Sequence, residues 1–199
     1  YQFSTDCIYE GLISKMLIYG RNSTGKSNFG KALTDICSTM FQTSRFMNDG
    51  VFLNADSRED AAVFSYEFNF DGQPLIYQYA RYSDLELQWE KLFIDDKTIF
   101  DCNFALGKFN FDNLKYIDAE TANIDRYTQS LEEGEETEEI AEPKLPFLRW
   151  LISNVAFKND SILIKLSNYV RRMVVISAGN AMRFRPRRMY DGFFESLDN

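Results

Sequence analysis

Histidine is missing from this chain of 199 residues, and cysteine and proline are scarce, with three and four residues respectively. Because imidazole is the usual general base near neutral pH and a common metal ligand, histidine-based catalysis and histidine-ligated metals are excluded within the chain. Cys7, Cys37 and Cys102 lie far apart and lack metal-ligand spacing. An odd number of cysteines without a disulfide framework fits a reducing compartment, so we expect ordinary buried or half-buried thiols in a cytoplasmic protein.

Long apolar runs and an excess of positive charge are missing as well. No apolar stretch is long enough to span a bilayer, and no signal-peptide pattern opens the sequence, so we expect no membrane partner. The net charge of −8 argues against wholesale wrapping of nucleic acid and leaves room only for a local basic patch. The first residue, Tyr1, is not methionine, so we expect a fragment or the ordered part of a longer polypeptide. What the chain does have is 45% hydrophobic and 16% aromatic residues, enough to bury a substantial core in one or two domains.

One segment carries a complete chemical motif. Residues 20–27 read Gly-Arg-Asn-Ser-Thr-Gly-Lys-Ser, the G-x-x-x-x-G-K-[ST] pattern of phosphate-binding loops. In such a loop, glycine lets successive backbone N–H groups point at phosphate oxygens, Lys26 reaches the β- and γ-phosphates, and the Ser27 hydroxyl ligates Mg²⁺. With Lys26 as the catalytic residue and Ser27 as the metal ligand, the expected nucleotide-binding residues are Gly20, Arg21, Asn22, Ser23, Thr24, Gly25, Lys26, Ser27 and Asn28.

The residues on both sides of this loop have the order that a phosphate-binding loop requires. Before it, the apolar run Met16–Tyr19 predicts a short buried strand. After it, apolar residues recur at helical spacing and predict a helix from about Lys26 to Met40. The alternative is a glycine turn that precedes a lysine by coincidence, and the four fixed positions would match a chain of this length by chance in roughly 1% of cases or fewer.

Beyond a polar connector around residues 48–60, the period of the apolar residues changes from helical to two. Alternation predicts three strands, on Phe64, Tyr66, Phe68 and Phe70, on Leu75, Tyr77 and Tyr79, and on Leu85, Leu87 and Trp89. Asp71-Gly72 and Asp95-Asp96 have the composition of tight turns, and a short segment near residues 97–100 follows the second turn. The pattern predicts an antiparallel meander attached to a P-loop core, unlike the βαβ repetition of a simple nucleotide kinase.

The remaining third of the chain begins with the acidic run Ser130–Glu142, which predicts a solvated loop or flexible linker. The alternative is an acidic surface that attracts a basic partner. Pro143 and Pro146 open a stretch whose apolar spacing predicts two helices, and the run Met173–Ser177 predicts a buried strand that returns to the core sheet. We therefore divide the chain into a P-loop unit with its β-subdomain (1–129), an acidic linker (130–143) and a helical segment returning to the core sheet (144–199).

A basic cluster follows this predicted strand. It comprises Arg183, Arg185, Arg187 and Arg188, shortly after Arg171 and Arg172. Guanidinium groups pair well with phosphate, so one hypothesis is that the segment contacts the phosphates of nucleic acid or of the bound nucleotide. The alternative is a solvated or interface-pairing basic loop that balances the acidic linker.

The stretch from Ile18 to Asn28 resembles the Walker A region of ABC-type ATPases of the SMC, RecF and OLD kind, which carry asparagines at the positions of Asn22 and Asn28. The aromatic strands downstream look like the β-subdomain of that group. Within it, the likeness is greatest to the OLD-like, AAA-type ATPases of bacterial abortive-infection and anti-phage systems. The resemblance implies an α/β fold with an ABC-ATPase-like P-loop core, an antiparallel β-subdomain and a helical segment, with ATP and Mg²⁺ as cofactors.

The chain differs from this group in three respects. Ser23 stands where the group usually has glycine, no Leu-Ser-Gly-Gly-like signature occurs, and no apolar run ends in Asp-Glu as a Walker B motif does. The chain therefore resembles the N-terminal half of such an ATPase, able to bind nucleotide but without the usual apparatus for hydrolysis. The Q-loop glutamine of the group stays unassigned among Gln42, Gln73 and Gln78.

The resemblance also implies partners and functions. Two heads of this group pair face to face with ATP between them, so we expect a homodimer or higher oligomer, an effector protein such as a nuclease, and DNA or a phage component as a further candidate. The favoured function is an ATPase subunit that acts as a nucleotide-dependent switch or scaffold in prokaryotic anti-phage defence. The alternatives are a DNA repair or maintenance ATPase of the RecF or SMC type and a nucleotide-bound scaffold without hydrolysis.

Overall fold

The computed structural model describes residues 8–9, 12–13, 15–22, 25–41, 52, 56–82, 86–136 and 144–174. Within these ranges the fold is mixed α/β and consists of two antiparallel sheets and four α-helices. The smaller sheet pairs β1 (Ile8–Tyr9) with β2 (Leu12–Ile13). Helix α1 (Lys26–Phe41) follows the glycine-rich loop and confirms the helix predicted there.

The larger sheet is a five-stranded antiparallel meander in which each strand pairs with the next along the chain. Its strands are β3 (Ala62–Phe70), β4 (Gln73–Arg81), β5 (Leu87–Ile94), β6 (Lys97–Asn103) and β7 (Lys108–Asn110). The β3–β4 and β5–β6 connections are two-residue turns, and Asp71, Gly72, Asp95 and Asp96 all have positive φ, as turns that match the twist of a hairpin require. The predicted meander and both predicted turns are confirmed, and β7 extends the sheet beyond the prediction.

In β5, the side chains alternate between the two faces of the sheet differently from the prediction. The prediction places Leu87 and Trp89 on one apolar face of the third strand. A β-bulge inserts one extra residue of β5 between them, opposite the end of β4, so Leu87 is buried whereas Trp89 is half-buried on the other face of the sheet. The neighbouring core-facing position belongs to Glu90, which is completely buried. Leu85 lies outside the described residues.

Three further helices follow the sheet. They are α2 (Ile124–Glu136), α3 (Phe147–Asn154) and α4 (Ile162–Arg171). Helices α3 and α4 confirm the two helices predicted after Pro143 and Pro146.

Helix α2 corrects the prediction of a loop or linker, because the acidic run is helical from Ser130 as far as Glu136. Ile124, Tyr127 and Leu131 recur at spacings of three and four residues and belong to the core or pack against it. This apolar stripe fixes a helix despite the acidic composition around it. Residues 137–143 lie outside the described part of the chain.

Two predicted strands are not found among the described residues. The run Met16–Tyr19 has no regular structure, and its four side chains are between 43% and 88% exposed. Apolar residues form a buried strand only when neighbouring elements cover them, and the larger sheet is built without this run. A P-loop core sheet therefore stays a prediction. Met173 and Val174 also lack regular structure, and the rest of that predicted strand is outside the described residues.

The core lies between the larger sheet and the helices, and an aromatic cluster joins β6, α2 and α3 at its centre. The ring centroids of Phe100 and Phe147 lie 4.9 Å apart, as do those of Tyr127 and Phe147, and the Tyr127 ring lies 5.2 Å from that of Trp150. Each such pair stabilises a fold by roughly 0.5–1.5 kcal/mol beyond the apolar area it buries. The cluster fixes α2 and α3 against the sheet.

Helix α1 is joined to the sheet by a buried ion pair. Asp35 and Arg81 are 3% and 5% exposed, and the Arg81 guanidinium lies 2.9 Å from the Asp35 carboxylate. The Tyr79 hydroxyl donates to the same carboxylate at 2.6 Å, and the Tyr66 hydroxyl donates to the Ala32 carbonyl at 2.6 Å. Burial raises the pKa of the Asp35 carboxyl, against the lowering effects of Arg81 and of the Tyr79 hydroxyl.

The C-terminal end of α1 is capped by a side chain from α3. The Arg149 guanidinium donates to the carbonyls of Ser38 and Thr39, each at 2.7 Å. These carbonyls belong to the last turn of α1, where the helix itself offers no N–H donors to them. A cation at this end of a helix also interacts favourably with the helix dipole. The sheet and α3 thus both hold α1.

Removing one partner of the ion pair should destabilise the fold strongly. We expect Arg81→Met to lower the free energy of unfolding by about 3–5 kcal/mol, because Asp35 stays buried without its cation. Urea denaturation followed by circular dichroism measures the loss.

The matched control is Lys158→Met, since Lys158 pairs with Asp118 at the surface, where their side chains are 76% and 64% exposed. We expect this control to change the free energy of unfolding by less than about 1 kcal/mol. A loss for Arg81→Met no larger than that of the control would contradict the anchoring of α1 by this pair.

Candidate nucleotide-binding site

The glycine-rich loop enters α1 through a residue in the left-handed conformation. Gly25 has a φ of +86°, and a Cβ built there would meet no atom within 4 Å, so the backbone conformation alone demands glycine. The Gly25 carbonyl accepts from the Phe29 N–H at 2.9 Å, which makes Gly25 the N-cap residue directly before α1. The second fixed glycine of the motif therefore supplies the turn from loop to helix.

Lys26 folds back across the loop. Its ammonium group donates to the Gly20 carbonyl at 2.8 Å and to the Arg21 carbonyl at 2.5 Å. These two bonds tie the end of the motif to its beginning and hold the ammonium group beside the loop.

A cleft of about 370 Å³ lies at this loop. It is lined by five of the predicted binding residues, namely Asn22, Gly25, Lys26, Ser27 and Asn28. Gly20 and Arg21 are linked to it through their bonds with Lys26, and Ser23 and Thr24 lie outside the described residues.

The N-terminal end of α1 favours an anion. Its first turn has no acidic residue and begins with Lys26, although a cation at this end of a helix is unfavourable by about 0.3–1 kcal/mol. Backbone N–H groups in the first turn of a helix have no acceptor within the helix, and the side chains of Ser27 and Asn28 beside them are exposed. A bound phosphate would accept from such N–H groups and offset the positive charges, as anions do at helix N-termini.

Ser27 is the residue whose chemistry fits a metal ligand here. Its side chain is exposed in the cleft, and Mg²⁺ in phosphate-binding loops is bound by one serine or threonine together with phosphate oxygens and waters. Across the described ranges, no group of three or more His, Cys, Asp or Glu side chains could hold a metal ion by itself. Among the described residues, a metal held by Ser27 would therefore need further ligands from a bound molecule, such as phosphate oxygens.

Of the candidate Q-loop glutamines, the two that the structure describes do not line the cleft. Gln73 donates to Asp95 at 2.7 Å and Gln78 donates to Ser65 at 3.1 Å, both within the larger sheet. Gln42 lies outside the described residues. No glutamine of the part described here is therefore assigned to the site.

The basic cluster at residues 183–188 also lies outside the described residues, so its contact with phosphate stays a prediction. Arg171 and Arg172, which precede it, are exposed at the end of α4. The Arg171 guanidinium lies 4.5 Å from the ring of Phe41, the last residue of α1. This cation–π contact engages Arg171 with the surface of the protein itself.

The two described cysteines are ordinary thiols, as predicted. Cys37 is half-buried and Cys102 is buried. Burial raises the pKa of Cys37 to about 11 and that of Cys102 further, so both stay protonated at neutral pH and are poor nucleophiles. Cys7 lies outside the described residues.

Comparison of the chain with protein-family models, with curated proteins and with solved structures finds no match in any of the three. Inference about function therefore rests on the loop and on its surroundings. None of the helices in the described ranges has the length and apolar character needed to cross a membrane.

Replacing Gly25 should weaken anion binding through backbone strain. A left-handed φ costs a residue other than glycine about 1–2 kcal/mol, so we expect Gly25→Ala to weaken binding of Mg-ATP by about tenfold. Isothermal titration calorimetry measures the affinity.

Gly30→Ala is the control for this substitution. Gly30 lies inside α1 with open space at its Cβ position, and alanine in a helix interior is more stable than glycine by about 0.5–1 kcal/mol. We expect this variant to keep the affinity of the native chain. Equal affinities of the two variants would show that the left-handed residue has no part in binding.

Proposed function

We propose that this chain is the nucleotide-binding part of an ABC-type ATPase subunit and that it binds Mg-ATP at residues 20–28. The observation that carries the proposal is the convergence of the Lys26 ammonium group, the Ser27 hydroxyl and the acid-free start of α1 on one cleft. The Gly20 and Arg21 carbonyls hold the Lys26 ammonium group at the loop, and a bound anion would offset the unfavourable interaction of this cation with the start of the helix. A polyphosphate is the anion that uses all three features together.

In this proposal the loop residues bind and orient the triphosphate. The N–H groups at the start of α1 donate to phosphate oxygens, and the Lys26 ammonium group pairs with the β- and γ-phosphates. The Ser27 hydroxyl would hold Mg²⁺, which when bound would neutralise part of the charge of the phosphates. Positioning and charge stabilisation then lower the barrier to phosphoryl transfer, with Lys26 as the catalytic residue.

We further propose that the subunit acts as a nucleotide-dependent switch in cytoplasmic anti-phage defence of a prokaryote, with a separate effector such as a nuclease. The support is the resemblance of the loop, including Asn22 and Asn28, to OLD-like ATPases, whose heads pair around ATP. A homodimer or higher oligomer is part of this proposal. Differential binding of the γ-phosphate to paired and unpaired heads would shift the equilibrium between them.

A nucleotide-bound scaffold without turnover is the second candidate. The sequence given contains neither a Leu-Ser-Gly-Gly-like signature nor an apolar run ending in Asp-Glu. A native polypeptide without such an acidic residue would lack the group that orients and activates the attacking water. Multiple turnovers of ATP by the purified native assembly would reject the scaffold function. Stimulation of this turnover by DNA ends or gapped duplex would favour a repair ATPase over a defence ATPase.

Replacing Lys26 should remove most of the affinity for the triphosphate. A hydrogen bond to a charged group contributes about 1.5–3 kcal/mol, so we expect Lys26→Ala to weaken binding of a non-hydrolysable Mg-ATP analogue by about 10- to 100-fold. Lys31→Ala is the matched control, because Lys31 lies in the same helix and does not line the cleft. Calorimetry compares the two variants, and full affinity with full biological activity in Lys26→Ala would overturn the proposed function.

A further inference from the structure

Glu90 is an acidic residue inside the protein core. It is completely buried on the inner face of β5. One of its carboxyl oxygens accepts from the Phe147 N–H, and the other accepts from the Tyr77 hydroxyl at 2.8 Å and from the Leu148 N–H at 3.5 Å. Three donors around one carboxyl group suit the ionised form, which only accepts hydrogen bonds.

These bonds make Glu90 the N-terminal cap of α3. The residue at the N-cap position is Pro146, whose side chain makes no capping hydrogen bond. Phe147 and Leu148 carry the first N–H groups of α3, and Glu90 reaches both of them from the sheet. Because the cap comes from another element, it also joins the helix to the sheet.

Helix α3 continues this connection to α1. Arg149 follows the two capped residues, and its guanidinium caps the end of α1 at Ser38 and Thr39. Helix α3 therefore receives one charged cap from the sheet and gives another to the helix that begins at the phosphate-binding loop. The Glu90 carboxylate also interacts electrostatically with Arg149.

The titratable groups that face Glu90 come from four elements. They are Tyr77 on β4, Cys102 on β6, Tyr127 on α2 and Arg149 on α3. Burial raises the pKa of Glu90 to about 7, although the Tyr77 hydroxyl, the two backbone amides and Arg149 lower it. Burial also raises the pKa values of both tyrosines and the cysteine, so these stay neutral. Glu90 is the member of this cluster that changes charge near neutral pH.

We propose that Glu90 is a proton-operated latch between the larger sheet and helix α3. In the ionised state its oxygens accept from all three donors. When a proton from solvent binds to the oxygen shared by Tyr77 and Leu148, that oxygen becomes a donor. The Tyr77 hydroxyl turns to accept the new hydrogen bond, and the Leu148 N–H loses its acceptor. The cap loosens while the cost of burying a charge disappears.

A pH titration that follows both Glu90 and the start of α3 tests this latch. In protein labelled with ¹³C-glutamate, we expect the Glu90 carboxyl resonance to titrate with a midpoint near pH 7, and the amide resonances of Phe147 and Leu148 to shift with the same midpoint. The reference is the ordinary glutamate pKa of 4.5. A Glu90 midpoint at that ordinary value, or amides that ignore the Glu90 titration, would overturn the proposal.

Two variants separate the latch from a merely structural role. Tyr77→Phe removes one donor to the carboxylate, so it should raise the Glu90 midpoint. Glu90→Gln fixes the neutral state, so the amides of Phe147 and Leu148 should no longer titrate. The first variant keeps the test decisive if the second does not fold. An unchanged midpoint in Tyr77→Phe, or a persisting amide titration in Glu90→Gln, counts against the latch.

The latch also predicts whether the stability of the fold rises or falls with pH. The folded protein holds the Glu90 proton more tightly than the unfolded chain, whose carboxyl has its ordinary pKa of 4.5. Between about pH 4.5 and 7 the folded state therefore loses stability as the pH rises, and its unfolding constant should increase by up to about tenfold per pH unit. Urea denaturation across this window measures the slope. We expect Glu90→Gln to flatten it, and a slope equal to that of the native chain would count against the proposal.

Discussion

The buried ion pair between Asp35 and Arg81 fixes where helix α1 lies, and with it where the candidate phosphate-binding loop ends. Both side chains are almost completely removed from water, and the cost of desolvating two charges is comparable to their attraction. The pair therefore contributes specificity of position more than net stability. That position is well determined, because Tyr79 and Arg81 donate to the same carboxylate from a strand of the larger sheet.

Much of the fold follows from local patterns in the sequence. Period-two alternation identifies β3 and β4 with their faces, the Asp71-Gly72 pair identifies the hairpin turn between them, and helical spacing identifies α1, α3 and α4. The patterns fail where distant contacts decide the outcome. A bulge reverses the face of Trp89, and burial of Tyr127 among the rings of α3 keeps an acidic segment helical. The run Met16–Tyr19 is apolar but has no cover among the described residues.

The candidate site can be predicted from the sequence by its motif and not by the periodicity of apolar residues. Each fixed position of the motif would have its own chemical role in a phosphate-binding loop, so the motif predicts the site residues without reference to the rest of the chain. The charged residues that hold α1 belong to no local motif. Arg149, for example, donates to the Thr39 carbonyl over a sequence separation of 110 residues. Glu90 can be recognised in the sequence, because it lies two positions from the buried Leu92 and therefore on the same face of β5. A charged residue in a core-facing phase indicates a buried and partnered carboxylate.

Helix α1 is supported by the contacts described above from Ala32 onward, whereas Lys26 stands at its start. At 1.5 Å per residue the helix rises roughly 9 Å between these two residues. Its first residue, Lys26, therefore lies well beyond the contacts that support the helix. A tilt of about 6° at the support displaces that residue by about 1 Å. Such a displacement spans the difference between a made and a broken hydrogen bond. Slight shifts of the strands under Ala32 are thereby magnified where a phosphate would be held.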